Sequence, residues 1–170
     1  MKVAVVIPAY NEATKIHDVV QAVKPHAAKV IVVDDGSKDS TAAVAAKAGA
    51  YVLRHPENCG AGAATMTGLE AARLLGFDAA VTIDADGQND PTDIPLLIKA
   101  MEDSGADLVI ANRFGRKNSI PAVRRIANHI GNLVTFVVTG LYLPDSQSGF
   151  KLFGPRALAQ VQLRMAGFEF

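Results

Sequence analysis

A single cysteine, no tryptophan and no excess of either charge set the first limits on this sequence of 170 residues. One thiol, Cys59, closes no internal disulfide, which excludes a disulfide-stapled scaffold and fits a reducing compartment. Lysine plus arginine and aspartate plus glutamate both number 17, so bulk attraction to nucleic acid or anionic lipid has no support. Nucleic acid is not an expected partner, and any basic contact must be local. The longest uncharged apolar stretch, IGNLVTFVVTGLYL, falls short of the roughly 20 residues that cross a bilayer as a helix. MKVAVVIPAYNE is no secretory signal either, because its apolar part, Val3–Ile7, runs straight into polar residues. The default expectation is a cytoplasmic protein. His17, His26, His55 and His129 show no zinc-type spacing and read as surface or packing residues.

What is present is a core. Apolar residues make up 49% of the chain and charged residues 20%, enough for one domain of this length. Short β-rich runs at Val3–Ile7, Val30–Val33, Tyr51–Leu53, Ala79–Ile83 and Leu108–Ala111 predict strands. Helical spacing or composition predicts helices over Thr14–Val23, Ser40–Ala48, Ala61–Leu75 and Ile94–Met101. The alternation points to an α/β layered domain with a mainly parallel sheet, residues 1–170 forming a single unit. Further on, a long amphipathic pattern from Pro121 to Leu141 predicts a helix with Arg124 and Arg125 at its start and its apolar face packed on the core, a membrane-contacting face being the competing reading. SGFKLF predicts another strand, and PRALAQVQL a helix with Pro155 in its first turn.

The polar clusters sit where such a sheet places its functional loops, at the carboxyl ends of the strands. The fourth predicted strand leads into VTIDADGQNDP. In an extended chain Asp84 and Asp86 leave the strand on one side, and Gln88 joins them if the chain stays open. Oxygen donors so arranged suit a hard divalent cation; a solvated turn with aspartate caps is the competing reading. DDGSKDST ends the second strand in adjacent acids, Asp34 and Asp35, and Gly36 frees the backbone. Asp39 or Ser40 caps the next helix. In PAYNE, Tyr10 offers a flat face and a hydroxyl, and Glu12 an acceptor, at the same sheet edge.

Other motifs fail. GAGAATMTG imitates a dinucleotide fingerprint, but its third glycine is misplaced, and it reads instead as a helix start with small residues for close packing. DADGQNDPTDIP has its glycine at the fourth place of a calcium loop and Pro95 where a bidentate glutamate belongs. DSQSGF lacks the nucleophile elbow of a serine hydrolase.

Taken in order, IPAYNE, VVDDGSKDST, DADGQ, NRF, RRIAN and DSQSGFK resemble the family 2 glycosyltransferases. The likeness is to the branch holding dolichyl- and polyprenyl-phosphate mannose and glucose synthases, and it covers essentially the whole chain. It implies a GT-A α/β/α sandwich with a mainly parallel mixed sheet, a nucleotide-diphospho-sugar donor, Mg²⁺ or Mn²⁺, and inversion at the anomeric carbon. Carried over by motif, Pro8, Tyr10, Glu12, Val33 and Asp35 line the nucleotide pocket, with Asp34 beside them. Asp84, Asp86 and Gln88 hold the metal against the donor diphosphate, and Ala85 lends backbone contacts. Arg113 and Arg124 meet phosphate oxygens, while Lys151 stands where some relatives carry arginine. Asp145 orients the acceptor or serves as a base for a hydroxyl acceptor; a turn aspartate after Pro144 is the competing reading. Relatives continue past GFEF, which implies that a C-terminal part is missing here.

For the acceptor, the resemblance implies a polyprenyl phosphate met at the cytoplasmic face of the membrane, by peripheral contact through the 121–141 segment. A saccharide or other hydroxyl acceptor stays open, as does a nucleotide-sugar-binding module without turnover.

Overall fold

The structure, a computed structural model, describes residues 1–111 and 148–161. β1 (Val3–Ala9) is buried along its length except at Pro8, which is half-buried, because both faces of this strand are covered. β2 (Lys29–Asp34) is buried from Val30 onward. Together with β3 (Tyr51–Arg54), β4 (Ala79–Thr82), β5 (Leu108–Ile110) and β6 (Lys151–Phe153), they build a six-stranded sheet in the order β3-β2-β1-β4-β6-β5. β1 pairs in parallel with β2 and β4, and β2 with β3. β6 is the exception, inserted antiparallel between β4 and β5.

Alternation along the strands sorts the core into two halves, as a period of two requires. Val3, Val5, Ile7, Val30, Val32 and Val81 face one side, where Ile16, Val20, Ala45, Ile94 and Leu97 cover them. These covering residues belong to α1 (Ile16–Val23), α2 (Thr41–Lys47) and α4 (Ile94–Ser104). Ala4, Val6, Ile31, Val33 and Ala80 face the other side, under Ala64, Leu69, Ala72 and Leu158. Those come from α3 (Ala61–Leu74) and the short α5 (Pro155–Ala159). The result is the expected α/β/α sandwich with a mainly parallel mixed sheet. α3 lies close to it because of Gly68, where a Cβ would meet Val6 Cγ1 at 2.2 Å.

Several boundaries differ from the sequence reading, each for a local reason. α1 begins at Ile16 rather than Thr14, because Glu12 O accepts from both Lys15 N and Ile16 N and holds a turn ahead of the helix. α4 runs on to Ser104, where left-handed Gly105 ends it. The strand expected over SGFKLF shrinks to Lys151–Phe153, since Ser148 Oγ accepts from Phe150 N in a preceding loop. The helix expected over PRALAQVQL stops at Ala159, where Gln160 N turns to the carbonyls of Arg156 and Ala157. The helix expected over 121–141 lies outside the described residues.

Candidate active site

β1 has β2 on one side and β4 on the other, so the connections from β1 and from β4 leave the sheet in opposite senses. A crevice at the carboxyl ends of such strands is the usual ligand position of an open α/β sheet. Ala9 and Asp34 are paired in register there, and Ile83 N still bonds Val6 O as β4 runs out.

The loop after β1 is held by the loop after β2. Asn11 N donates to Ser37 Oγ at 2.9 Å, Glu12 N to Thr41 Oγ1 at 2.9 Å, and Ala13 N to Asp39 Oδ2 at 3.2 Å. Lys38 N returns a bond to Asn11 Oδ1 at 2.8 Å. Asn11 itself sits at a left-handed φ of 55°, a conformation that asparagine tolerates. DDGSKDST therefore braces the backbone of PAYNE, a use that the sequence did not reveal. Asp39 does act at the start of α2, by accepting from Thr41 N at 3.0 Å, whereas Ser40 makes no side-chain cap bond. The Thr41 hydroxyl, with the N–H groups of Thr41 and Ala13, holds the Asp39 carboxyl below the usual carboxylate range. Tyr10 is exposed and Glu12 half-buried at this edge.

The two acids that end β2 are both buried, and both are engaged. Asp34 Oδ1 accepts from Ser37 N at 3.1 Å, and Oδ2 faces Arg54 Nε at 3.1 Å in an ion pair. Asp35 Oδ1 lies 2.7 Å from His55 Nδ1 and accepts from Cys59 N at 2.9 Å, while Oδ2 accepts from Gly60 N at 2.8 Å. A carboxylate has about four lone-pair sites, so internal bonds use most of those on Asp35. Val33 is wholly buried on the α3 side and offers no side-chain surface at the rim.

After β4 the chain does not stay extended. It turns at Ala85 and Asp86, and Gln88 N bonds back to Asp86 Oδ1 at 2.9 Å. The strand alternation invoked for Asp84, Asp86 and Gln88 thus ends at Thr82, because Asp86 caps its own turn. Asp84 and Asp86 are half-buried, Ala85 buried and Gln88 exposed. Asp84 is seated against Gly149, where a Cβ would come within 2.2 Å of Oδ1. Thr82 Oγ1 fixes that glycine by donating to its carbonyl at 2.7 Å, and Asn89 Nδ2 lies 3.4 Å from Asp84 Oδ2. Two half-buried carboxylates on one turn, with a glycine cradle behind the first, fit a hard divalent cation by the chemistry of their donors. Lys151 is half-buried on β6, opposite Thr82 in register. Arg113, Arg124 and Asp145 lie outside the described residues.

Residues 4–161 match the model of the glycosyl transferase family 2. Over 187 residues the chain is 34% identical to the UDP-N-acetylglucosamine--dolichyl-phosphate N-acetylglucosaminyltransferase of Methanococcus voltae, covering 96% of this chain and 74% of that protein. It is 30% identical to the undecaprenyl-phosphate mannosyltransferase of Micrococcus luteus, covering 96% and 70%. Among solved structures it resembles glucosyl-3-phosphoglycerate synthase from Mycobacterium tuberculosis in complex with Mn²⁺ and UDP-glucose. The TM-score is 0.66 at 26% identity, over 91% of this chain and 56% of that one. The chain thus spans a little over half the length of that solved structure. With the family model covering most of the sequence and the fold shared with that solved structure, the chain belongs to glycosyl transferase family 2 and has its GT-A fold.

Proposed function

We propose that this protein transfers a hexose from a nucleotide-diphospho-sugar of the GDP-mannose or UDP-glucose type to a polyprenyl phosphate, with inversion and with Mg²⁺ or Mn²⁺. The observation that carries the reading is the turn of Asp84 and Asp86, set at the carboxyl rim beside the braced PAYNE loop. Two relatives whose names include dolichyl or undecaprenyl phosphate support the acceptor.

In this reading Asp84 and Asp86 hold the cation, with Gln88 at its edge and the Ala85 backbone beside the donor. When bound, the ion neutralises charge on the diphosphate leaving group as a Lewis acid. Tyr10 covers the base with its ring, Glu12 and Asp35 accept from base or ribose groups, and Pro8 and Val33 contribute the floor through their backbone. Most of the acceptor capacity of Asp35 is already used, so its part is to shape the pocket and offer one remaining site. Arg113 and Arg124 are assigned from the sequence to phosphate oxygens, where guanidinium groups supply charge and orientation. A polyprenyl phosphate is already ionised near neutral pH, so its oxygen attacks without a strong general base. Asp145 is assigned to orienting it.

Among the described residues no helix is long and apolar enough to cross a membrane. The proposed location is the cytoplasm, with peripheral contact at the cytoplasmic membrane face. A hydroxyl acceptor, with Asp145 as base, is the second reading, favoured by the 26% identity to glucosyl-3-phosphoglycerate synthase.

The test is transfer of labelled hexose from GDP-mannose and UDP-glucose to polyprenyl phosphate, with Mn²⁺ and with excess chelator. Lipid-linked product formed only with the metal is expected. An undiminished rate in chelator would remove the metal from the account, and donor binding without product would leave a binding module.

A further inference from the structure

Beside the β2–β3 edge of the rim, Asp35, His55 and Cys59 converge, and one oxygen, one nitrogen and one sulfur lie within 4.8 Å of one another. Asp35 follows β2, His55 follows β3 and Cys59 precedes α3, so no sequence spacing announces the group. We propose that these three side chains form a second cation site, for a borderline-soft ion of the Zn²⁺ class, separate from the carboxylates of Asp84 and Asp86.

Ligand chemistry sorts the two sites. Carboxylate oxygens alone favour Mg²⁺ or Mn²⁺, whereas a thiolate and an imidazole with one carboxylate favour Zn²⁺ or Co²⁺. The group is preorganised. Cys59 N and Gly60 N hold the Asp35 carboxylate from behind, and Asp35 is only 2% exposed. The His55 ring is 12% exposed at its side chain and is pinned at its far nitrogen by Thr67 Oγ1 at 3.0 Å. Cys59 is half-exposed, which leaves the fourth tetrahedral position open to water, as in sites with three protein ligands. With metal–nitrogen and metal–sulfur bonds of about 2.0 and 2.3 Å, tetrahedral ligand atoms sit roughly 3.3–3.6 Å apart. Loading widens the 2.7 Å contact between Asp35 Oδ1 and His55 Nδ1 to that range.

Proton positions follow from the bonds. Without an ion, His55 Nδ1–H donates to Asp35 Oδ1, and Nε2 accepts from the Thr67 hydroxyl. Ion binding takes the Nδ1 lone pair, so the neutral ring carries its proton on Nε2 and donates to Thr67 Oγ1, an outer partner that fixes ring orientation. The Cys59 thiol gives its proton to solvent, and loading releases one proton per ion. A filled site engages Asp35 and competes with the donor, a consequence that rests on the assignment of Asp35 to the nucleotide.

The experiment titrates Co²⁺ into the metal-free full chain and reads the thiolate-to-cobalt charge-transfer absorption. The expected result is a one-to-one band in wild type and in Asp86→Asn, abolished in Cys59→Ser, with Co²⁺ bound at least about tenfold more weakly by His55→Gln. Zn²⁺ should displace the cobalt. Circular dichroism and melting confirm that each variant folds, and the two ligand variants are independent checks. No band in wild type, or unchanged affinity in His55→Gln, overturns the site. Saturating nucleoside diphosphate with Mg²⁺ should weaken Co²⁺ binding at least about tenfold. A band formed with undiminished affinity under that condition overturns the competition and the assignment of Asp35, while the band itself upholds the site.

Discussion

Asp86 caps its own turn through Gln88 N and still presents a half-buried carboxylate beside Asp84. Asp86→Ala should therefore lower turnover by on the order of 100-fold or more, about 3 kcal/mol in the transition state, as when other electrostatic groups are removed. Steady-state rates across a Mn²⁺ titration check this, and a rate within a few-fold of wild type would contradict it. Gly149 tests the same turn from behind. In Gly149→Ala the new methyl falls on the Asp84 carboxylate, so Mn²⁺ affinity should drop, with overpacking costing about 1–3 kcal/mol of stability. Calorimetric Mn²⁺ titration and denaturant unfolding read the two effects separately. Asp39 gives a pH signature. Its carboxyl is depressed in the fold by the Thr41 hydroxyl bond first, so its contribution is present above the ordinary carboxylate range. That contribution is lost as pH falls through the lower folded value. The stability gap between wild type and Asp39→Asn should be constant near neutrality and shrink in acid; a gap that widens in acid would contradict the assignment.

At the scale of elements, the sheet is legible in the sequence because buried parallel strands read as short apolar runs, as at Val3–Ile7 and Ala79–Ile83. The packing of α3 is legible too, since small residues in GAGAATMTG announce a close approach. Gly68→Ala should cost about 1–3 kcal/mol in denaturant unfolding, because the added carbon meets Val6 Cγ1 of the central strand. An unchanged unfolding midpoint would show that α3 can shift away. The carboxylates of DADGQ are legible by position, but their turn is not, because strand alternation stops where Asp86 caps itself. The bracing of PAYNE by Ser37, Asp39 and Thr41 is hidden for another reason. It joins residues about 26 to 29 positions apart, and hydroxyls in DDGSKDST look like ordinary cap residues. His55 and Cys59 are likewise concealed, since topology alone brings them to Asp35.

For the molecule as a whole, the antiparallel β6 matters as much as the parallel strands. It brings Gly149 and Lys151 alongside β4, so a segment far along the chain seats the first metal-binding candidate, Asp84. The carboxyl rim of the sheet then carries the acids, the braced PAYNE loop and the cradle together. Polyprenyl phosphate as the acceptor is put to the test by offering polyprenyl phosphate, the free polyprenol and a simple sugar side by side with labelled donor and Mn²⁺. Labelled product is expected from polyprenyl phosphate alone, strongly reduced in Arg124→Ala; transfer to the sugar but not to the phosphate would overturn the assignment.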